Sequence, residues 1–286
     1  MKTLFEEEDF IKRLKMSVSE AWKIFQLKVG NGMIKINKEA SMQLQYANVL
    51  QNLIPLIICK DDEKVEIELE KTAKLKDKYT EIDVFVVGEK NNKPCKIAIE
   101  MKCYKEKSSS EGKRGATDIF MKDVYVDIQN LENYISNGIC DYTVFLAMTD
   151  FSGLVNPKKK KGDAKCWAYE ISDGFLLSPQ KINIPIGGKP QDITITNEYT
   201  FKWIERGGYY FLELKTMKIY AIYAEMVEEP ICYAEAEDIN DLVNIMHERS
   251  KKGEPYRMFP GWFPVEISRK EMVQNIAYIN KGIINK

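Results

Sequence analysis

Two stretches of alternating residues constrain this chain more tightly than anything else in it. Glu81-Ile82-Asp83-Val84-Phe85-Val86-Val87 and Lys96-Ile97-Ala98-Ile99-Glu100-Met101-Lys102 predict two strands of a hairpin, joined through the turn formers Gly88, Lys90, Asn91, Asn92 and Pro94. Side chains alternate across a strand, so Glu100 and Lys102 share a face with Ala98, while Ile97, Ile99 and Met101 take the other. Asp83 falls in line with Phe85 and Val87, and an acid in such an apolar row must be paired, ligated or solvated. A hairpin centred on Asn91-Asn92 brings Asp83 directly opposite Glu100, with Cβ atoms about 4.5 to 5.5 Å apart. That separation suits two ligands of one cation. The number of turn formers also allows a longer loop, and only an even slip of register keeps both acids on one face. Hard cations such as magnesium take carboxylate, carbonyl and water oxygens, and a neighbouring lysine can orient or deprotonate a bound water.

Asp83, a gap and then Glu100-Met101-Lys102 resemble the signature of the PD-(D/E)XK nuclease superfamily, which includes many type II restriction endonucleases. That signature sets an Asp on one strand and a (D/E)-X-K triplet on the next, followed by a helix and a further strand. The order holds here. Asp118 to Ser136 carries Ile119, Val124, Ile128, Leu131 and Ile135 at approximately helical spacing, and Tyr142 to Met148 reads as a buried strand. Ile82 stands where the Pro of the family name would be.

The resemblance implies an α/β protein of restriction-endonuclease-like fold, a mixed central β-sheet flanked by α-helices, acting as a metal-dependent endonuclease that hydrolyses DNA phosphodiesters with Mg2+. In that scheme Asp83, Glu100 and Lys102 are catalytic, and Asp83, Glu100 and the Met101 backbone carbonyl bind the ion. Glu39, with Gln43 one turn on, is a further candidate ligand, as an acidic or amide residue of an early helix is in some members. Double-stranded DNA as partner, 5′-phosphate and 3′-hydroxyl products and a homodimer belong to the same expectation. A partner-dependent defence or repair nuclease, and a non-catalytic DNA-binding module that keeps the fold, are the alternatives.

A second triplet, Glu213-Leu214-Lys215, has Asp192 upstream at similar distance. A turn at Gly207-Gly208 pairs Glu213 with about Lys202 and leaves Asp192 outside the hairpin, so this triplet reads as a solvated strand face. For phosphate contact the candidates are Lys105, Lys107, Lys113 and Arg114, in the serine-rich segment leaving the first triplet, and the run Lys158, Lys159, Lys160 and Lys161. A lysine run reads equally as a solvated loop.

Bulk composition does not name the activity. Lys plus Arg number 42 against 43 Asp plus Glu, so any basic surface must be local. The single His247 removes histidine-centred metal clusters and serine-histidine hydrolysis, and the glycine-rich phosphate loop is missing. Six cysteines without a CxxC pair predict reduced, packed thiols rather than a structural zinc. The acidic start Met1-Lys2-Thr3-Leu4-Phe5-Glu6-Glu7-Glu8, with no apolar run of membrane-spanning length, predicts a cytoplasmic protein.

Along the chain, Phe5 to Val29 reads as one or two amphipathic helices with a stripe of Phe10, Leu14, Val18, Ala21, Trp22 and Phe25, a core or dimer surface. Asn37 is the expected N-cap of a helix from Lys38 to about Ile54, before Pro55. Val65 to Glu70 alternates as an edge strand. Short strands are expected at 165–171, 181–186, 192–196, 201–205, 209–215 and 218–223. Helices follow at 238–249 and from Ser268, with the aromatic segment Tyr256 to Phe263 between them. This divides the chain into a nuclease-like domain with a β-rich elaboration, 1–225, and a helical appendage, 226–286, with a soft boundary near Met226 to Pro230.

Overall fold

The computed structural model describes residues 4, 6–75, 78–107, 112, 115–158, 164–188, 191–216, 218–223, 230, 232–236, 242–243, 245–246 and 263–267. The chain forms two compact units, Met1–Leu214 and Lys215–Lys286. The elements run α1 (Phe10–Gly30), α2 (Glu39–Ile57), β1 (Glu63–Leu75), β2 (Lys78–Lys90), β3 (Lys93–Tyr104), α3 (Thr117–Ser136), β4 (Tyr142–Thr149) and α4 (Ser152–Val155). After a 3-10 turn at Lys165–Tyr169 come β5 (Leu176–Leu177), β6 (Gln180–Ile182), β7 (Ile193–Ile195), β8 (Tyr199–Thr200), β9 (Ile204–Arg206), β10 (Tyr209–Lys215) and β11 (Lys218–Tyr223), then β12 (Cys232–Ala236) and β13 (Phe263–Ile267). In the second unit β11 is central to a three-stranded antiparallel sheet, in the order β12-β11-β13.

The first unit is α/β, built on a six-stranded mixed sheet in the order β1-β2-β3-β4-β10-β9. Strands β1, β2 and β3 are antiparallel neighbours, whereas β4 lies parallel to β3. A parallel pair needs a long crossover, and α3 supplies it. Strict alternation divides two cores. Val84, Val86, Ile97, Ile99, Met101, Val144, Leu146, Met148 and Phe211 pack with α1 and α2. Phe85, Ala98, Phe145, Ala147, Leu212 and Leu214 pack with α3 and the short strands. Being covered on both faces, β4 is apolar without interruption from Val144 to Met148.

Asp9 caps α1, its side chain accepting from Lys12 N at 2.9 Å, so the expected one or two helices are a single one that starts at Phe10 rather than Phe5. All six residues of its apolar stripe are buried in the core. Lys38 rather than Asn37 caps α2, because the compensating polar group comes from inside the helix. The Ser41 hydroxyl accepts from both Asn37 N and Lys38 N. Pro55 does not end α2, which continues to Ile57. A proline this close to the terminus deletes a single ladder bond. The strand expected at 165–171 is the 3-10 turn, and that at 201–205 is confined to Ile204–Arg206. The soft boundary, the helix at 238–249, the aromatic segment and the helix from Ser268 lie largely or wholly outside the described residues.

Glycine sets two close approaches. At Gly88 a Cβ would come within 2.3 Å of Leu14 Cδ2, so α1 presses directly on β2. Gly207, with φ +57°, carries the β9–β10 turn against Gly30 at the end of α1, where a Cβ would meet the Gly30 carbonyl oxygen at 2.0 Å. No helix among the described residues is long and apolar enough to cross a membrane.

A buried ion pair fastens α1 to the entry of β1. Arg13 donates to Glu63 at 2.7 Å and to the carbonyls of Ile57 and Glu8, while Glu63 also accepts from Cys59 N at 2.8 Å. Burial alone would raise the Glu63 carboxyl. The hydrogen bonds from Cys59 N, Arg13 and Lys90 outweigh it and hold the group below its ordinary value. A depressed carboxyl contributes stability that is complete above its unfolded value of about 4.3 and is lost as pH falls through the folded value. Glu63→Gln is therefore expected to destabilise the fold by about 3 kcal/mol at pH 7, since Arg13 keeps a buried charge without its counter-ion. The same change should flatten the loss of stability below about pH 4.3 in urea unfolding. Wild-type stability at pH 7 would refute the assignment.

Candidate active site

Asn91 and Asn92, both at positive φ (51° and 60°), make a two-residue turn of the type that matches strand twist. This fixes the register from Lys90↔Lys93 to Val84↔Ile99. The next positions on each strand are Asp83 and Glu100, which brings the two acids opposite each other, as the shorter of the two expected turns requires. There the ladder stops. On the other side of β2 the pairing with β1 also skips this point, running from Leu69↔Val84 to Lys71↔Ile82, with Glu70 at φ +51° between them.

Carboxylates take over the main-chain groups that the missing ladder leaves. Asp83 Oδ2 accepts from Met101 N at 2.6 Å, and Glu39 Oε2 accepts from Cys103 N at 3.0 Å. Gln43 Nε2 donates to the Asp83 carbonyl at 2.5 Å. Because the N–H and C=O of one strand residue project from the same edge, the Met101 carbonyl opens into the same gap as Asp83. Both Glu39 and Gln43 thus come from the first turns of α2 to the end of the β2–β3 hairpin.

The two charged residues of the triplet point toward α3. Glu100 is 4 % exposed and accepts from the Tyr134 hydroxyl at 2.7 Å. Lys102 Nζ stands 3.2 Å from Glu39 Oε1 and 3.1 Å from Asp127 Oδ2. Four carboxylates, those of Glu39, Asp83, Glu100 and Asp127, therefore share one ammonium. Burial pushes Glu100 well above the usual carboxylate range, and repulsion from Asp127 and Asp83 adds to it. For Asp83 burial again raises the group, against the hydrogen bond from Met101 N. Asp127 is pushed up to about 7, by burial first, with Lys102 opposing. At Lys102 burial would depress the ammonium, but Asp127 and Glu39 outweigh it and hold it above its ordinary value.

Among the described residues no three carboxylate, thiol or imidazole side chains meet at one point as a ready-made metal cage. Asp83 and Glu100 supply a pair, and the Met101 carbonyl lies in the same gap. Two carboxylates and a carbonyl are oxygen donors of the kind magnesium takes, the ion keeping several of its own waters. Glu39 has both oxygens committed, to Lys102 and to Cys103 N.

The expected phosphate contacts divide. Lys105 is drawn inward, 2.8 Å from Asp150 and 3.2 Å from the Tyr209 hydroxyl, over whose ring it sits at 4.5 Å. Lys107 and Lys158 are exposed, and Lys113, Arg114, Lys159, Lys160 and Lys161 lie outside the described residues. The second triplet is not a solvated face. Ser19 donates to Glu213 at 2.6 Å, and burial together with Glu213 raises the Tyr46 hydroxyl, so Glu213 turns toward α1 and α2 while Glu100 and Lys102 turn toward α3.

Two residues of the site escape the sequence reading, Asp127 and Tyr134. Both occupy the buried stripe of α3 with Val124, Ile128 and Leu131, whereas Ile119 is 37 % exposed. An acid at core spacing was the available signal. No protein-family model, curated protein or solved structure matches this chain.

Carboxyls with raised folded values contribute stability below their unfolded values, near pH 4, that is lost as pH rises through the folded values, about 7 for Asp127. Glu100→Gln keeps an acceptor for Tyr134 and removes one of the repelling charges. In chelator-containing buffer at pH 8 the variant is expected to melt above wild type by about 2–4 °C. A lower melting temperature would show that the four acids do not oppose one another.

Proposed function

We propose that this chain is a magnesium-dependent endonuclease of restriction-endonuclease-like fold that hydrolyses DNA phosphodiesters. One observation carries the reading: Asp83 and Glu100 face each other where β2 leaves β3, with Lys102 two residues on and on the same face. The sequence of hairpin, α3 and parallel β4 supports it further, because it follows the order of elements in the superfamily that the Asp83 and Glu100-Met101-Lys102 motif resembles.

Asp83, Glu100 and the Met101 carbonyl would hold the ion. When bound, magnesium neutralises charge on the scissile phosphate and acidifies a coordinated water. The chain's own residues do the remainder. Glu100, hydrogen-bonded to Tyr134, presents its carboxylate in one orientation. Lys102 carries a positive charge that stabilises the phosphorane and a proton donor that orients the attacking water. Apolar packing of Phe85, Ala98 and Ala147 beneath the acids keeps their local dielectric low, which strengthens each of these interactions. Of the candidate phosphate contacts, Lys107 and Lys158 are exposed among the described residues and would be open to a DNA backbone. A homodimer is part of the same proposal, since a type II enzyme cuts both strands of a symmetric site.

Single-turnover cleavage of unmethylated plasmid separates the roles. Asp83→Ala and Glu100→Ala are expected to abolish cutting while metal-free DNA binding is kept or improved, because each acid repels phosphate. Lys102→Met should lower the rate by about two to four orders of magnitude. Lys215→Met, in the triplet that faces the other layer, should cut at the wild-type rate. A dead Lys215→Met beside a normal Lys102→Met would move the site to β10 and end the proposal.

A further inference from the structure

We infer that Asp127 is a positioning residue, which fixes the Lys102 ammonium from the α3 side so that one of its N–H groups is left for the reacting water or phosphate; this role rests on the nuclease reading above. An ammonium has three donors. One is hydrogen-bonded to Glu39 at 3.2 Å, while Asp127 Oδ2 stands 3.1 Å from the same nitrogen as its ion-pair partner, the two acids coming from opposite sides of the sheet. At least one donor is engaged by neither acid. Without such partners a lysine side chain samples many rotamers, and a misplacement of about 1 Å is enough to lose a hundredfold in rate.

The position of Asp127 is hard to explain by folding. It is 8 % exposed, in a helical stripe with Val124, Ile128 and Leu131, where an apolar side chain would pack without desolvating a charge. Its ion-pair partner is Lys102; among the described residues it caps no main-chain group, unlike Asp83 and Glu39. It also repels Glu100, and it lies against the site that the other acids already crowd. Glu39 is the more exposed of the two anchors, with a side chain 38 % exposed against 11 % for Asp127. An acid that opposes its neighbours, serves no cap and sits on a 20-residue helix is placed to hold Lys102.

Two measurements on Asp127→Asn test this. In 1H–15N spectra of the lysine ammonium groups, wild type should give a resolved, slowly exchanging Lys102 signal, identified by its disappearance in Lys102→Met, and Asp127→Asn should lose or broaden it. The single-turnover cleavage rate should fall about a hundredfold in Asp127→Asn with DNA affinity within about twofold of wild type. In a Lys102→Met background the same change should alter the residual rate by less than about twofold, because the residue through which Asp127 acts is gone. A Lys102 signal unchanged in Asp127→Asn, equal rate losses in both backgrounds, or failure of the variant to fold would each overturn the assignment. If wild type cuts nothing while the ammonium signal behaves as described, positioning stands and the nuclease reading falls.

Discussion

The arrangement of this protein depends on the point where β2 parts from β3. Up to Val84↔Ile99 the two strands satisfy each other's main-chain groups; one residue further, the pairing ends and side chains must do the work. Buried N–H groups are seldom left unpaired, since each costs about 1–3 kcal/mol. Asp83 and Glu39 meet that need at Met101 and Cys103, which is why acids can stand in an otherwise apolar layer. The same caps draw α2 and β2 onto the end of β3. A loss of ladder pairing and the assembly of a polar site are one event here.

That site opposes the stability of its surroundings. Glu100 and Asp127 are almost fully buried, each raised by desolvation and by the other acids, and a single ammonium cannot neutralise four carboxylates. Elsewhere the chain handles buried charge differently. Arg13 and Glu63 form a closed set with Cys59 N and the carbonyls of Ile57 and Glu8, and Glu132 accepts from Thr196, Asn197 and Tyr199 to fasten the short strands to α3. In those clusters the carboxylate faces donors and cations rather than other acids, Glu63 Oε1 lying 3.3 Å from Lys90 Nζ. The contrast marks the Asp83–Glu100 gap as the place where the fold tolerates repulsion that a cation would relieve.

Much of this was legible in the sequence because the relevant signals are local. Asn91-Asn92 set a hairpin register, and register decides which side chains face each other, so the opposition of Asp83 and Glu100 followed from the turn. The helix between two apolar strands was legible in the same way, and it is the crossover that a parallel β4 needs. Long-range pairings were not legible. Nothing local in Glu39, Gln43 or Asp127 announces that α2 and α3 converge on Lys102 from opposite layers. Lys105 reads as a free cation until Asp150 and Tyr209, distant in sequence, are brought beside it. At 165–171, Trp167, Tyr169 and Ile171 alternate as a strand would, yet the segment turns as a 3-10 helix that buries Tyr169 against Tyr125. Period alone does not separate the two.

The central claim is that Asp83 and Glu100 form a divalent-cation site. Titration with manganese, followed by electron paramagnetic resonance of the free ion, tests it without reference to cleavage. Saturable binding is expected in wild type and in Glu213→Gln, and its loss in the double variant Asp83→Asn, Glu100→Gln. Equal manganese uptake by all three proteins would contradict the account.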